Sequence, residues 1–399
     1  MNARRLRTFT AVLSGGGARG AYEAGVLRFV VHELSRRSGE IVAPRLVSGT
    51  SAGALNGCYL AARSGDPAGA LDLSRIYQSL KIERIYKFEA IDLLRTPFRL
   101  LGRSGTRSLV DASPLHRMVR EDLPWASLDH ALTHGPLEAL VVAATEVGSG
   151  RCTYFVDRRR PGPPVQLPYP EEVVVETRFR AEHCLASAAI PFLFPPVEID
   201  GESYQDGGLR QNTPMTPALR LGAERLLVVG VKRALSERPV ERKVRPEELS
   251  LTFLAGKALN ALMLDPIERE LHRVERTNQI LRWGVETYGP EFVDRFNQGC
   301  NGGKPAGWRA VQTLFVRPSA DLGQMAAAAW RTGKVAASRP TRMFLGGIAS
   351  EEPQDEADLL SYLLFDYHYT GALEQLGFED ASRQEEALAR LLGLGDAPT

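Results

Sequence analysis

The sequence predicts an α/β protein built on an open, mostly parallel sheet covered on both faces by helices. Three observations carry this. Short apolar and β-branched runs recur along the chain, at Thr8–Leu13, Leu46-Val47, Ala139–Thr145, Leu226–Val231 and Val311–Val316. Segments with helical spacing separate them. Ala139–Thr145 and Leu226–Val231 are apolar throughout instead of alternating, as parallel strands buried on both faces are. Strands that alternate with helices imply right-handed βαβ units.

Taken in order, Thr8–Leu13 (TFTAVL) reads as the first strand and stops at Ser14-Gly15-Gly16-Gly17. Helical spacing follows over Ala21–Leu34, where Tyr22, Val26, Phe29, Val30 and Leu34 recur at three and four. Leu46-Val47 is a second strand, followed by Gly49-Thr50-Ser51-Ala52-Gly53 and a small-residue helix to about Ala62. Val197–Gln205 reads as a hairpin, because Asp200-Gly201 suits a two-residue turn. Thr216–Leu221 is helix-like. Two stretches fall outside the rhythm. Leu80–Leu109 is rich in Arg, Phe and Leu. The segment 236–307 opens with a charged linker and continues as a long helical pattern to about Leu281. From Asp355 the chain reads as helical again. The expected organisation is one α/β domain over 8–325, with a helical insertion at about 236–307, and a helical C-terminal region over 326–399.

Composition excludes more than it identifies. In 399 residues, 44% apolar and 24% charged residues are ordinary for a globular protein, which rules out a disordered or fibrous chain. A net charge of +1 gives no global field for nucleic acid. Cys58, Cys152, Cys184 and Cys300 have no CxxC spacing, which argues against a disulfide scaffold and a zinc site. No run of 18 apolar residues suggests a membrane-spanning helix, and the basic N-terminus lacks the apolar stretch of a secretory signal. The expectation is a cytoplasmic chain, with peripheral contact at a membrane left open.

Three short motifs carry chemistry. Gly15-Gly16-Gly17-Ala18-Arg19-Gly20 lies between a strand and a helix and satisfies GxGxxG. As a dinucleotide fingerprint it needs an acid at the end of the next strand, but Ser48-Gly49 stands there. The same glycines can instead aim consecutive N–H groups at an oxyanion, or simply make a tight turn. Gly49–Gly53 (GTSAG) is GxSxG in the strand–helix context of a nucleophile elbow, with Gly49 and Gly53 allowing strand and helix to approach; taken alone it reads equally as a serine at an ordinary βα turn. A serine nucleophile needs a base. His272 and His368 are the late histidines, but one lies in a charged helical pattern and the other in an aromatic stretch. Asp206, followed by Gly207-Gly208, is the better candidate, although Asp-Gly-Gly by itself reads first as a plain turn. A carboxylate is a poor base in water at a pKa of ~3.9, so the pairing demands a dry, apolar site.

Together these residues resemble the patatin-like phospholipases, of bacterial type. Four blocks stand in the family's order: Gly15–Gly20 (GGGARG), Gly49–Gly53 (GTSAG), Ala186–Pro191 (ASAAIP, matching ASxxxP) and Asp206-Gly207-Gly208 (DGG). The resemblance implies a three-layer α/β/α fold and a Ser–Asp dyad without histidine, metal or cofactor. It implies Ser51 as nucleophile and Asp206 as base. The glycine loop from Gly15 to Gly20 becomes an oxyanion hole, with the N–H groups of Gly16, Gly17 and Ala18 as donors and Arg19 close by. The implied activity is hydrolysis of carboxylic esters in phospholipids or lysophospholipids, through an acyl-enzyme.

Arg95, Arg99, Arg103 and Arg107 recur every four residues among Leu93, Leu94, Phe98, Leu100 and Leu101. Such a stripe suits either an interfacial helix on a bilayer or a solvated surface helix or lid. Two other functions compete with the leading one. One is a Rossmann-type oxidoreductase using residues 15–20, and the other is a non-catalytic membrane-surface protein. Oligomeric state is not legible.

Overall fold

The computed structural model describes residues 4–88, 109–233, 257, 267–300, 307–351 and 357–395. The arginine stripe at 95–107 lies outside them, as does most of the first half of the 236–307 segment.

Nine strands form one sheet among the described residues: β1 (Leu6–Leu13), β2 (Ile41–Thr50), β3 (Ala139–Glu146), β4 (Cys152–Arg158), β5 (Glu172–Glu176), β6 (Val197–Ile199), β7 (Glu202–Asp206), β8 (Arg225–Val229) and β9 (Gln312–Val316). The order is β5-β4-β3-β2-β1-β8-β9, with the β6–β7 hairpin attached to β3. The run from β3 through β2, β1 and β8 to β9 is parallel throughout, and β4 pairs antiparallel with β3. The expected strands are all present. β4 and β5, in a stretch rich in charges and prolines, were not legible.

Alternation along the strands divides two cores. On β1, Phe9, Ala11 and Leu13 point into the larger core and Val12 into the other; on β8, Leu227 and Val229 oppose Leu226 and Val228. The larger core takes the helix that starts at Gly20, the Ala52–Ala62 helix and the C-terminal helix Tyr367–Ser382. The smaller takes Met215–Arg220 and the long helix Ile267–Tyr288. Helices on both faces of a mostly parallel sheet make the three-layer α/β/α fold. The charged first turn and sparse apolar positions of Ile267–Tyr288 suit it to the outside: only Val274, Leu281 and Gly284 are buried.

The C-terminal region is part of the larger core. The Gly20–Leu27 and Tyr367–Ser382 helices touch backbone to backbone: a Cβ on Gly25 would lie 1.8 Å from the Glu374 carbonyl oxygen, and one on Gly377 2.0 Å from that of Tyr22. The buried Glu374 carboxylate is paired with Arg28 at 2.7 Å and accepts hydrogen bonds from Ser74 and Gln78. A buried carboxylate so partnered costs much less than a bare one.

β3 acts as the ruler that assembles the site. Along the edge away from β4, its Ala139–Ala143 pair with Leu46–Thr50 of β2, and its Ala144–Glu146 pair with Asp206–Tyr204 of β7. β2 therefore ends where β7 ends, head to head. The residue after β2 is Ser51, and the last residue of β7 is Asp206.

Candidate active site

Ser51 sits between β2 and the Ala52–Ala62 helix at φ 53°, ψ −124°. A side chain there costs about 1–3 kcal/mol, which the surroundings must offset. The turn is possible because strand and helix almost touch: a Cβ on Gly49 would lie 2.5 Å from the Gly53 carbonyl oxygen, and one on Gly53 2.6 Å from that of Leu13. Ser187 holds the strained turn. Its Oγ accepts the Ser51 N–H at 2.8 Å and donates to the Ala143 carbonyl at 2.6 Å. The second residue of the ASAAIP block thus fixes the backbone of the candidate nucleophile, a role its position in sequence did not reveal.

Ser51 Oγ donates to Asp206 Oδ2 at 2.6 Å. Asp206 Oδ1 accepts the Gly208 N–H at 2.8 Å, and Thr145 Oγ1 donates to the Asp206 carbonyl at 3.0 Å. Gly207 is needed for close approach, since a Cβ would meet the Ala143 carbonyl oxygen at 2.3 Å. Asp206 is fully buried, and loss of solvation pushes its carboxyl up to about 7; the Ser51 and Gly208 hydrogen bonds oppose that rise. The carboxylate is thereby a usable base near neutral pH. His272 and His368 lie elsewhere: His272 is exposed beside Glu275, and His368 Nδ1 is 2.8 Å from Asp366.

The glycine loop lies against Ser51, with the Gly15 Cβ position 3.0 Å from Ser51 Cβ. Its N–H groups divide into two sets. Gly15 donates to the Asn212 carbonyl, Arg19 to that of Gly16, and Gly20 to those of Gly17 and Ala18. The N–H groups of Gly16, Gly17 and Ala18 have no acceptor among the described residues. Gly17 adopts φ 55°, and a Cβ there would lie 2.4 Å from the Tyr362 carbonyl oxygen. The Arg19 side chain turns away from Ser51. Its Nε donates to Ser361 at 2.9 Å, Nη1 to the Tyr362 hydroxyl at 3.3 Å and Nη2 to Asp358 at 3.1 Å, with the guanidinium 4.1 Å above the Tyr362 ring.

A cavity of about 300 Å³ opens from Ser51 and Gly17. Its walls are almost wholly apolar, with Leu55, Leu73, Ile76, Ile85, Met118 and Phe194 prominent. Phe365 contributes to the wall from the C-terminal region. At the surface end stands the exposed ion pair Arg84–Asp122 at 2.5 Å. A polar seam crosses the wall: Tyr77 donates to Asn56 Oδ1 at 2.9 Å, and Asn56 Nδ2 donates to the buried Glu23 at 2.9 Å. Burial holds the Glu23 carboxyl well above the ordinary carboxylate range.

The family model of patatin-like phospholipases matches residues 11–219, just over half of the chain. The chain belongs to that family. No curated protein is a significant match in sequence. Two solved structures are similar over most of its length. VipD from Legionella pneumophila is 13% identical over 95% of this chain and 67% of its own, with a TM-score of 0.37. The ExoU–SpcU complex from the type III secretion system of Pseudomonas aeruginosa is 16% identical over 89% of this chain and 69% of its own, with a TM-score of 0.29. Both likenesses are loose and carry no weight in the functional reading. All four blocks that resemble the patatin-like pattern meet at one end of the sheet around Ser51. Asn212, which donates to the Gly15 carbonyl at 3.1 Å, and the Arg19–Asp358 pair were invisible in sequence, because their partners lie 197 and 339 residues away.

Proposed function

We propose that this patatin-like protein is a lipid acyl hydrolase that cleaves carboxylic esters through a Ser51–Asp206 dyad. The observation that carries the reading is the 2.6 Å hydrogen bond from Ser51 Oγ to a fully buried Asp206, at the closed end of an apolar cavity.

The chemistry follows from the geometry. Asp206 Oδ2 takes the Ser51 proton as Oγ attacks the ester carbonyl carbon. The oxyanion is stabilised by the free N–H groups of Gly16, Gly17 and Ala18, a smaller set than the whole loop from Gly15 to Gly20. Asp206 returns the proton to the departing alcohol. Water, losing its proton to Asp206, then releases the fatty acid from Ser51. The cavity excludes bulk water and accepts an acyl chain, and the same dryness keeps the Asp206 pKa near neutrality. Membrane phospholipid or lysophospholipid is the substrate class, by family membership and by the apolar cavity. Among the described residues, no helix is long and apolar enough to cross a membrane. Contact with the bilayer is by surface features. Phe192, 76% exposed at φ 66°, projects from the loop that carries the cavity residues Ile190 and Phe194.

Ser51→Ala and Asp206→Asn should each abolish release of fatty acid from a lipid panel, with circular dichroism unchanged. Full turnover in either purified variant overturns the dyad. Gly16→Val, whose Cβ would press on Val231 at 2.8 Å, should lower the rate by ~10²–10³ if it displaces the donors.

A further inference from the structure

Cys58 and Cys184 stand 126 residues apart in the chain, yet their sulfurs are 2.9 Å apart. Both are buried, 1% and 0% exposed, and both are free thiols. Cys58 lies two turns along the helix that begins after Ser51. Cys184 lies one turn before Ser187 on the helix Ala181–Ser187. These two helices already share one tether, the hydrogen bond from the Ser51 N–H to Ser187 Oγ.

We propose that Cys58 and Cys184 are a dithiol that two-electron oxidation closes into a disulfide, tying the helix of Ser51 to the helix of Ser187. The sulfurs need less than ~1 Å of travel to reach the ~2.04 Å bond, so the helices hardly move. The step balances with a peroxide as oxidant. One cysteine, as thiolate, attacks a peroxide oxygen; the O–O bond breaks, water leaves and a sulfenic acid remains. The second sulfur gives up its proton and displaces the sulfenic hydroxyl as water, forming the S–S bond. Two thiols and one hydrogen peroxide give one disulfide and two waters. Each sulfur is oxidised by one electron, and the peroxide is reduced by two.

Burial sets the character of this site. It excludes bulky oxidants such as oxidised glutathione and makes closure slow, by way of local opening. It also places the second thiol closer to the sulfenic sulfur than further oxidant can come, which favours the cross-link over sulfinic acid. The closed form has a second tether beside the strained elbow. It leaves the Ser51 Oγ–Asp206 pair untouched, so hydrolysis persists and resistance to heat rises.

The test treats the full chain with hydrogen peroxide and then titrates thiols in denaturant. The four cysteines of the sequence should fall to two titratable thiols, reversibly with a reductant. Tandem mass spectrometry should find the peptide of Cys58 linked to that of Cys184. The Tm should rise by about 5 °C or more, as expected for a cross-link that closes a long loop. Cys58→Ser should hydrolyse soluble ester like the wild type before treatment, keep its remaining three thiols unlinked and show no gain in Tm. Cys152→Ser should fall from three titratable thiols to one and gain Tm like the wild type, which controls for a variant that fails to fold. Four thiols persisting, a link through Cys152 or Cys300, or sulfinic acid without a cross-link overturns the proposal. Thiol titration, mass spectrometry and Tm do not depend on ester hydrolysis, so they fail or succeed separately from the dyad.

Discussion

Asp206 concentrates the physics of the site in one side chain. Its carboxyl titrates near pH 7 when folded, against ~3.9 when unfolded, because burial disfavours the charge. As a base it must be ionised, so log kcat/KM should rise with unit slope up to about pH 7 and level above it. A profile flat from pH 5 to 9 contradicts the assignment. Stability runs the other way. The unfolded chain releases this proton between pH ~4 and ~7 while the folded chain keeps it. The contribution is fully present below pH ~4 and lost as pH rises through about 7. Relative to Asp206→Asn, the wild type should therefore lose a few kcal/mol of stability between pH 4 and 8 in denaturant titrations. Ser187 makes a second residue-scale prediction. Ser187→Ala strands the buried Ser51 N–H, a cost of about 1–3 kcal/mol. To the extent that the loss is felt in the transition state, kcat should fall about 10–100-fold at unchanged KM. An equal rise in KM at constant kcat would mean that Ser187 shapes the binding cavity instead.

Among the elements, the stretch from the end of the Ala181–Ser187 helix into the following loop does three things within eight residues. Ser187 pins the elbow, Ile190 and Phe194 line the cavity, and Phe192 points outward in a left-handed conformation. An exposed aromatic in a costly backbone conformation is unfavourable in water alone and is offset if the ring enters a lipid interface. Phe192→Ser should leave hydrolysis of a short soluble ester within two-fold and reduce hydrolysis of vesicle phospholipid several-fold. Equal losses on both substrates would count against bilayer contact. The β6–β7 hairpin acts as the counterpart element. Asp200 at φ 51° and Gly201 at φ 90° form a two-residue turn that fixes the register of β7, and with it the depth at which Asp206 arrives.

Across the whole molecule, the C-terminal region packs against the candidate site as closely as the glycine loop does. Arg19 joins that loop to Ser361, Tyr362 and Asp358, Phe365 lines the cavity, and Gly25 and Gly377 bring two helices into backbone contact. Deleting residues 326–399 would expose the apolar face of the Gly20–Leu27 helix and leave Arg28 without its buried partner. The truncated chain should be insoluble or molten, with no cooperative thermal transition. A truncated chain that melts cooperatively and binds an active-site serine probe would instead support a separable tail.

Much of this was legible in the sequence. Strand placement followed from apolar runs, and the hairpin from Asp200-Gly201. The elbow followed from two glycines flanking Ser51, because backbone approach within 2.6 Å admits no side chain. β4 and β5 escaped because their apolar stretches, Tyr154–Val156 and Val173–Val175, are only three residues long and set among charges and prolines. The stripe of arginines at 95–107 lies outside the described residues.

The sequence by itself determined the layered α/β class and pointed to Ser51 as candidate nucleophile and Asp206 as candidate base, since each depends on local backbone geometry or on a short motif. Only the tertiary structure decided that Ser51 and Asp206 meet, because their 2.6 Å contact exists through the register of two strands on β3. It also decided which loop N–H groups remain free, where Arg19 points and which cysteines touch. The last two depend on partners more than a hundred residues away, and local residue pattern carries no record of such distances.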